Sequence, residues 1–415
     1  MSTLVALPDD AVVKLHPLHL GPVEDDEQEV GRPETGVFVS LPVPGVDIIK
    51  WLNEGLTVGE VKSRFAERYG EAPDLDDFVG TLRECGFVQG DDGVAAAASI
   101  DQAAQTSGAR RGWRLFGDLP QRKVAWLVSR PVRRLALLPW LAIPVVLAAR
   151  PDLVPSAASA WLPYGVTVNL LALTGIGWAL TFLHEVAHLL AVRARGCAGY
   201  LQLSHRLHFV VAQTDMTAVR SIPREERYAP YLAGMVFDAT VLTGALVSQI
   251  ANAGGPWPGT VAFLAAVHLL FQLAFFMRTD IYYVIGNRFR LGNLMGDARA
   301  LLGNRLRALV GKPAASDLSG VPDREMRFVR WYALLLVAGV GVTIGQFFFY
   351  GLPIMARFGT ESFSALSGGP GGAGFWDGVA FLGTTALNFG LLFYVIVRDR
   401  RAARVGVGRS DRRSA

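Results

Sequence analysis

The chain has 415 residues, of which 51% are hydrophobic and 18% charged, and its mean hydropathy is +0.31. Soluble domains carry about a quarter of charged residues, so an ordinary soluble enzyme is disfavoured, and disordered or fibrous proteins are excluded. Two cysteines are too few for a disulfide scaffold or a cysteine-based zinc cage. The net charge of +4 is unevenly divided: residues 1–95 hold 7 Lys/Arg against 19 Asp/Glu, and the remainder holds 33 against 17. Two physically different parts therefore share the chain.

The acidic part, residues 1–95, has the pattern of a small folded domain. Apolar spacing, with Thr57 as a helix cap, predicts a strand at 12–15, a strand at 36–41, helices within 46–52, 57–69 and 74–86, and a returning strand at 87–88. This order resembles the PqqD-like peptide-binding domain, a winged-helix relative that holds leader peptides of ribosomally made natural products. The resemblance covers about residues 10–90 and implies a cytoplasmic domain that binds a precursor peptide.

A winged-helix module without a ligand is the alternative for this domain. Nucleic acid is not expected as a partner, because a net charge of −12 repels phosphate. Residues 96–133 are predicted to be a linker and a basic juxtamembrane segment. The polar stretch 89–112 is expected to act as a flexible tether of about twenty residues.

The rest of the chain contains long uncharged apolar runs. A membrane-spanning helix needs about 20 such residues, and the candidate spans are 135–149, 153–183, 228–252, 257–277, 331–356 and 378–397. The first is the least secure, because it is short and holds two prolines. The sequence thus predicts a polytopic α-helical membrane protein with about six transmembrane helices in residues 134–398. A small α+β winged-helix-like domain precedes them, and a basic cytoplasmic tail at 399–415 follows.

Basic residues are distributed with a strong preference for alternate segments. The segments 110–134, 193–227, 278–330 and 398–413 carry 31 Lys/Arg, whereas 150–163, 251–256 and 351–377 carry two. Because positively charged loops remain in the cytoplasm, both termini are expected there, and the first span must cross the lipid bilayer. No signal peptide is expected, since residues 1–30 are polar and acidic.

The second span ends in the motif His184-Glu185-Val186-Ala187-His188. Residues i and i+4 share a helix face, so both imidazoles reach one Zn²⁺, and Glu185 lies beside them to take a proton from water on the ion. The alternative is that the histidines satisfy one another and that Glu185 is a helix-end charge. Three ionisable residues so close together in an apolar span are costly unless they act, which favours the zinc site.

A catalytic zinc site requires a third protein ligand. Asp280 follows the fourth span at a similar depth, and Asp238 lies about three turns into the third span. His268 is expected to be a poor partner, because it lies roughly 18 Å from Asp280 along the helix. His205 and His208 fall in a loop and are expected to be solvated.

These residues give the chain a resemblance to the site-2-protease family of intramembrane metalloproteases, in its peptide zinc metalloprotease branch. The resemblance covers about residues 175–300, and it rests on His184-Glu185-x-x-His188, Ala233-Gly234 followed by Asp238, and Asp280 with Tyr282-Tyr283 and Asn293-Leu294. It implies a bacterial cytoplasmic membrane. By this resemblance the metal ligands are His184, His188 and Asp280, the catalytic base is Glu185, and Asp238 supports the site.

The chain departs from that family at three positions. Ile281 stands where the family has a glycine after the ligand aspartate, Gln272 stands for an asparagine, and Phe275 for the following proline. Gln272 is expected to support the site in place of the asparagine. The ligands are intact, so the departures bear on turn geometry and turnover rather than on metal binding.

The depth of the site poses a further question. Arg193 places His184 about 13 Å inside the membrane border, whereas Asp280 directly follows the border residue Arg278. Either the fourth helix ends in a water-filled recess, or the second helix extends into the cytosol. Alternating residues at 201–211 predict a strand beside the site, which either pairs with an extended substrate or only covers the site.

The sequence therefore predicts a membrane-embedded zinc endopeptidase that cleaves a peptide or precursor peptide, with Zn²⁺ as its cofactor. The N-terminal domain points to maturation of a ribosomally made peptide, with an exporter or modification enzymes as further partners. The competing hypothesis is a catalytically silent membrane scaffold that binds the precursor and passes it to an exporter. Glu185 favours the enzyme, and Ile281 is the local feature that favours the scaffold.

Overall fold

The computed structural model describes residues 7–24, 26–32, 37–89, 115–116, 119–206, 209–372 and 374–411. The N-terminal domain is an antiparallel meander of strands followed by three helices: β1 His19–Glu24, β2 Glu27–Arg32, β3 Val37–Pro42, α1 Val43–Asn53, α2 Val58–Tyr69 and α3 Leu75–Glu84. The central strand is β2, and its Val30 lies opposite Leu20 of β1 and Val39 of β3.

The three helices pack on this sheet through apolar faces, and Ile49, Val61 and Leu82 are among the buried core residues. The predicted cap of α2 is confirmed: the Thr57 hydroxyl accepts a hydrogen bond from the Glu60 backbone N–H, and the Glu60 carboxylate accepts one from the Thr57 N–H. The predicted strand at 36–41 and the three helices are also confirmed, with shifts of a few residues at their ends.

Two strand predictions in this domain are wrong. Residues 12–15 and 87–88 form only isolated bridges, which join Val12 to Thr57 and Leu15 to Val88. The strands β1 and β2 were not predicted, because their sequences, HLGPVE and EQEVGR, show too few apolar residues for a clear alternation. The predicted tether at 89–112 lies outside the described residues apart from residue 89.

The remainder of the described chain is mostly helical, with one further sheet. Short helical turns occupy Gln121–Val124, Ala125–Val128, Pro151–Leu153, Ala157–Ala160, Thr217–Ser221 and Phe275–Met277. The longer elements are α4 Arg130–Leu135, α5 Leu138–Ala149, α6 Val166–Ala194, β4 Tyr200–Arg206, β5 Phe209–Asp215, α7 Arg224–Ile250, α8 Trp257–Phe271, α9 Asp280–Phe289, α10 Leu294–Leu309, α11 Asp323–Gln346, α12 Leu352–Leu366 and α13 Phe375–Asp411.

Five stretches within the described ranges are long and apolar enough to cross a membrane, judged by length and composition: Arg130–Ala149, Val166–Ala194, Arg224–Ile250, Asp323–Phe349 and Phe375–Arg398. They correspond to five of the six predicted spans. The helix α13 continues to Asp411, so the predicted tail at 399–415 begins as part of a helix. A π-helical turn at Phe347–Gly351 joins α11 to α12, so the helical path also continues beyond residue 356.

The predicted fourth span, 257–277, is shorter than expected. Its helix α8 has 15 residues and ends at Phe271. The chain then runs irregularly to Arg278, whose φ of 57° lies in the left-handed region, and the next helix begins at Asp280. The helix therefore ends early, and an irregular segment leads to Asp280.

The strand predicted at 201–211 is part of a larger element. The strands β4 and β5 form an antiparallel hairpin, with Leu203 opposite Ala212. The hairpin packs beside α6, where the Thr214 hydroxyl donates a 3.1 Å hydrogen bond to the backbone oxygen of Glu185. The strand prediction is thus confirmed, but as two paired strands. Residues 207–208 and the side chains of 204–209 lie outside the described part, so the predictions for His205 and His208 do too.

Candidate metal centre

Two histidines of α6 and the first residue of α9 converge on one point. The Nε2 atoms of His184 and His188 are 3.1 Å apart, and each is 3.1 Å from Oδ2 of Asp280. All three residues are buried. The spacing of four residues puts both imidazoles on one face of α6, as predicted, and α9 brings Asp280 from more than ninety residues away in the sequence.

The other nitrogen of each imidazole is held by an acceptor. Nδ1 of His184 lies 2.8 Å from Oδ2 of Asp238, and Nδ1 of His188 lies 2.7 Å from the backbone oxygen of Pro230. A carboxylate and a carbonyl only accept, so both Nδ1 atoms donate, and each ring in its neutral form presents an Nε2 lone pair to the shared point. Asp238 thus contacts the ring of a predicted ligand.

This donor set fits a zinc ion. Two imidazole lone pairs and a carboxylate repel one another at 3.1 Å unless a proton or a metal cation lies between them. Three ligands at bond lengths of 2.0–2.2 Å in a tetrahedral site are about 3.3 Å apart, close to the separations here. Nitrogen and oxygen ligands with acceptors behind the imidazoles are typical of catalytic zinc sites.

The irregular segment after α8 fixes the position of Asp280. The Gln272 side-chain oxygen accepts a 2.9 Å hydrogen bond from the Asp280 backbone N–H, and the Gln272 backbone oxygen accepts one of 2.8 Å from the Thr279 hydroxyl. Gln272 therefore contacts the backbone of a predicted ligand, in agreement with its expected supporting place. Ile281 lies in the first turn of α9 with an ordinary negative φ, so the backbone there does not require glycine.

Phe275 also has a clear structural place. Its ring lies 5.7 Å from that of Tyr332, a residue of α11 whose hydroxyl donates hydrogen bonds to the backbone oxygens of Phe275 and Phe276. A helix distant in the sequence therefore holds this segment.

Two of the three predicted ligands, His188 and Asp280, line a cavity of about 880 Å³ together with Glu185, and we call the part beside these residues its inner end. The hairpin contributes Gln202, Gln213 and Thr214. The part lined by Glu27, Glu29 and Ser40 of the N-terminal sheet is called the outer part. Glu185 is buried among protein atoms yet faces this space, so its carboxylate is placed to meet a substrate that enters the cavity.

His268 is the residue that sequence reasoning undervalued. Its Nδ1 lies 3.6 Å from Oδ1 of Asp238, a buried atom with no hydrogen-bond partner, and its Nε2 lies 3.3 Å from the Thr181 hydroxyl. The distance estimate assumed one continuous helix from His268 to Asp280, and this assumption is wrong because α8 ends at Phe271. Asp238 on α7 lies between the imidazoles of His184 and His268. His184, Asp238 and His268 form a second group of potential metal ligands. The first group is favoured, because His188 and Asp280 face the cavity together with Glu185.

A ring of tyrosines lies beside the cavity and holds Arg278. The guanidinium lies 5.7 Å from the ring centre of Tyr282 and 5.8 Å from that of Tyr283. Tyr231 stacks on Tyr283, with ring centres 5.7 Å apart. Arg278 thus presents its charge to the cavity two residues from Asp280.

Comparison with family models, with curated proteins and with solved structures finds no match for this chain.

Proposed function

We propose that the chain is a membrane-embedded zinc endopeptidase that cleaves a peptide or precursor peptide. The observation that carries the proposal is the convergence of three potential ligand atoms, all 3.1 Å apart, beside Glu185 at the inner end of the cavity. The order of the motif residues and the anchoring of both Nδ1 atoms support this function over a structural histidine pair.

His184, His188 and Asp280 are the residues that would hold the ion. When bound, Zn²⁺ supplies a Lewis acid that polarises a carbonyl and lowers the pKa of water. Glu185 acts as the general base: it accepts the proton of the attacking water and returns a proton to the leaving amine. Asp238 and the Pro230 carbonyl keep both imidazoles in the tautomer that leaves Nε2 unprotonated.

An extended peptide suits this cavity better than a helical one, because proteolysis requires access to the peptide bond. The polar side chains of Gln202, Gln213 and Thr214 on the hairpin offer hydrogen bonds along the path to Glu185. A strand-like substrate uses such groups for its main chain, while pockets select alternate side chains. The N-terminal sheet at the outer end of the same cavity supports a precursor peptide as the substrate class.

The proposed setting is a bacterial cytoplasmic membrane, with both termini in the cytoplasm. The support is the distribution of 31 basic residues on one set of loops and two on the other, together with five long apolar helices among the described residues. An exporter or modification enzymes are the proposed further partners, by analogy with the pathway that the N-terminal domain resembles.

Metal analysis combined with a cleavage assay tests the proposal. Purified protein should carry about one zinc per chain, as one three-ligand site requires. Glu185→Gln should keep the zinc and lose peptide cleavage, because an amide does not accept the proton of water at neutral pH. A wild-type chain that binds zinc and cleaves no peptide would favour the silent scaffold. A Glu185→Gln chain that cleaves at the wild-type rate would remove Glu185 from the mechanism.

A further inference from the structure

Acidic side chains of the N-terminal sheet meet basic side chains of the membrane part. The Glu29 carboxylate accepts hydrogen bonds from Arg220, at 2.8 and 3.2 Å, and from Arg227. The Glu24 carboxylate lies 2.7 Å from Nε of Arg224. We call these five residues the clamp.

The clamp joins strands β1 and β2 to the 3₁₀ turn Thr217–Ser221 and the start of α7. Two further contacts lie at the same interface. Nε2 of His19 lies 2.7 Å from the Ser221 backbone oxygen, and the Arg220 guanidinium lies 5.8 Å from the ring centre of Phe38. The interface therefore involves all three strands of the sheet.

The centre of the clamp is buried. The side chains of Glu29 and Arg227 are only 11% and 6% exposed, and Arg227 also donates to the backbone oxygens of Arg220 and Ile222, each at 2.7 Å. If the domain separated, Arg227 would lose its carboxylate partner and keep its two backbone acceptors. Hydrogen bonds between charged groups are stronger than those between neutral groups, so this buried pair favours the docked arrangement.

The clamp also lies at the outer part of the catalytic cavity. Glu29, Arg220, Arg224 and Arg227 line the same space as Glu185. We infer that the N-terminal domain is a fixed wall of that cavity, held by the clamp, so that one cavity both recognises the peptide and presents it for cleavage. Only the role of the cavity in peptide recognition and cleavage rests on the proposed function. The docking of the domain is supported by the clamp contacts alone.

Cross-linking in the full chain tests the docking. Cysteines are introduced by His19→Cys and Ser221→Cys after Cys85→Ser and Cys197→Ser, and a short bis-maleimide is added at neutral pH. Most molecules should cross-link, and the cross-linked protein should keep its zinc and its cleavage of a short peptide. Glu24→Arg should lower the cross-linked fraction severalfold, and adding Arg224→Glu should restore it. Glu54→Gln, which removes a glutamate from an exposed pair with Arg64, is the control.

Each outcome has a separate meaning. A low cross-linked fraction in the otherwise unchanged chain overturns the fixed wall. Loss of cleavage on cross-linking also overturns it, because the domain would then be a lid that must lift. If cross-linking is efficient and zinc is bound but no variant cleaves peptide, the proposed endopeptidase fails and the docking remains.

A second, independent observation concerns Arg278. Three arginines that line the cavity, Arg220, Arg224 and Arg227, have glutamate partners. Arg278 also lines the cavity but forms no ion pair with the described residues, and its guanidinium lies over the rings of Tyr282 and Tyr283. Its left-handed backbone costs a non-glycine residue free energy. The planar guanidinium of arginine can bind a carboxylate through two parallel hydrogen bonds. A guanidinium that faces a cavity and has no carboxylate partner in the protein is therefore suited to bind a carboxylate of a ligand.

From this contrast we propose that Arg278 binds a carboxylate of the substrate peptide, an inference that rests on the proposed function of the cavity. The carboxylate is either the C-terminus or an acidic side chain. Binding is measured on the zinc-loaded Glu185→Gln chain with a dye-labelled Ala/Leu decapeptide. In the first pair of peptides, the C-terminus is either a free carboxylate or an amide. In the second pair, one internal residue is either Asp or Asn.

Removing the relevant carboxylate should weaken binding at least tenfold, and Arg278→Gln should abolish that difference while Arg278→Lys keeps part of it. Arg288→Gln is the control, because Arg288 also lies over an aromatic ring, that of Phe289, but does not line the cavity. Equal binding of all four peptides overturns the carboxylate site. If no peptide binds any variant although zinc is present, the proposed peptidase function fails with it. If Arg278→Gln lowers turnover of a neutral peptide in the active chain without changing its binding, Arg278 acts on the reacting carbonyl instead.

Discussion

Gly234 of α7 faces the imidazole of His184 on α6 so closely that a β-carbon at residue 234 would lie 2.3 Å from Nε2. No side-chain carbon fits at this distance, so only glycine allows α7 to approach α6 here. The same approach brings Asp238, one turn later on α7, to Nδ1 of His184. Gly234 and Asp238 therefore act together: one makes room for the ring and the other orients it.

Gly234→Ala should displace the His184 ring and lower the zinc affinity by at least about tenfold, the effect expected when a ligand loses its orientation. Zinc retained after dialysis against a competing chelator is the measurement. Gly244→Ala on the same helix is the matched control, because a β-carbon there meets nothing within 4 Å. Alanine favours a helix over glycine by about 1 kcal/mol, so the control should fold at least as well. Equal zinc retention in both variants would contradict the tight approach.

The third ligand is tested by comparing two aspartates. Asp280→Ala should strip most of the zinc, because its Oδ2 lies 3.1 Å from both Nε2 atoms. Asp238→Ala should weaken binding by about 10–100-fold without abolishing it, because Asp238 contacts His184 through Nδ1. Zinc content and chelator competition measure both effects. If Asp238→Ala strips the metal and Asp280→Ala does not, the ion belongs to the group of His184, Asp238 and His268.

The pair of histidines was predictable from the sequence because a helix fixes the geometry of residues i and i+4. Asp280 was identified by resemblance, and the broken end of α8 explains how it reaches the pair. His268 was discounted because its depth along α8 was compared only with that of Asp280. Such a comparison does not show that another helix, α7, places Asp238 between His184 and His268. The distance and angle at which two helices cross depend on close approaches such as that at Gly234. The apolar periodicity of either helix does not reveal such an approach.

The N-terminal domain shows the same limit. Its helices were predictable, because Thr57 and the apolar spacing are local signals. The net charge of −12 was used to exclude nucleic acid as a partner, yet Glu24 and Glu29 pair with arginines that lie about 200 residues away in the sequence. Charge alone does not distinguish a solvated carboxylate from one half of an interface, since both look the same in a sequence.

Docking should depend on pH through Glu29. Burial alone raises the pKa of this carboxyl, but Arg220 and Arg227 outweigh it, so the pKa is lowered from its ordinary 4.5. A carboxyl with a lowered pKa stabilises the docked state fully above its ordinary pKa, and this contribution is lost as the pH falls through the lower value. A pyrene label is attached at neutral pH to each cysteine introduced by His19→Cys and Ser221→Cys, and the excimer fluorescence of the two labels then reports docking at each pH. This signal should stay constant from pH 7 to about 5 and fall below 4.5. A Glu29→Gln chain should give a weak signal at every pH, whereas a loss between pH 7 and 6 in the chain with Glu29 would assign the dependence to another group.

Deletion of residues 1–95 distinguishes a fixed wall from a flexible tether. A tethered capture domain raises only the local concentration of a long precursor, so its loss would leave cleavage of a short peptide unchanged. A wall contributes Glu27, Glu29 and Ser40 to the cavity, so its loss should also raise KM for a short peptide. The deletion also removes Glu29, the carboxylate partner of Arg227, and the unpaired arginine would confuse the result. The deletion is therefore combined with Arg227→Gln, and zinc content serves as the measure of an intact metal centre.

With zinc retained, we expect KM for the short peptide to rise at least fivefold while kcat changes little, because Glu185 and the ligands belong to the membrane part. An unchanged KM with zinc retained would mean that the domain lies beside the cavity without taking part in peptide binding.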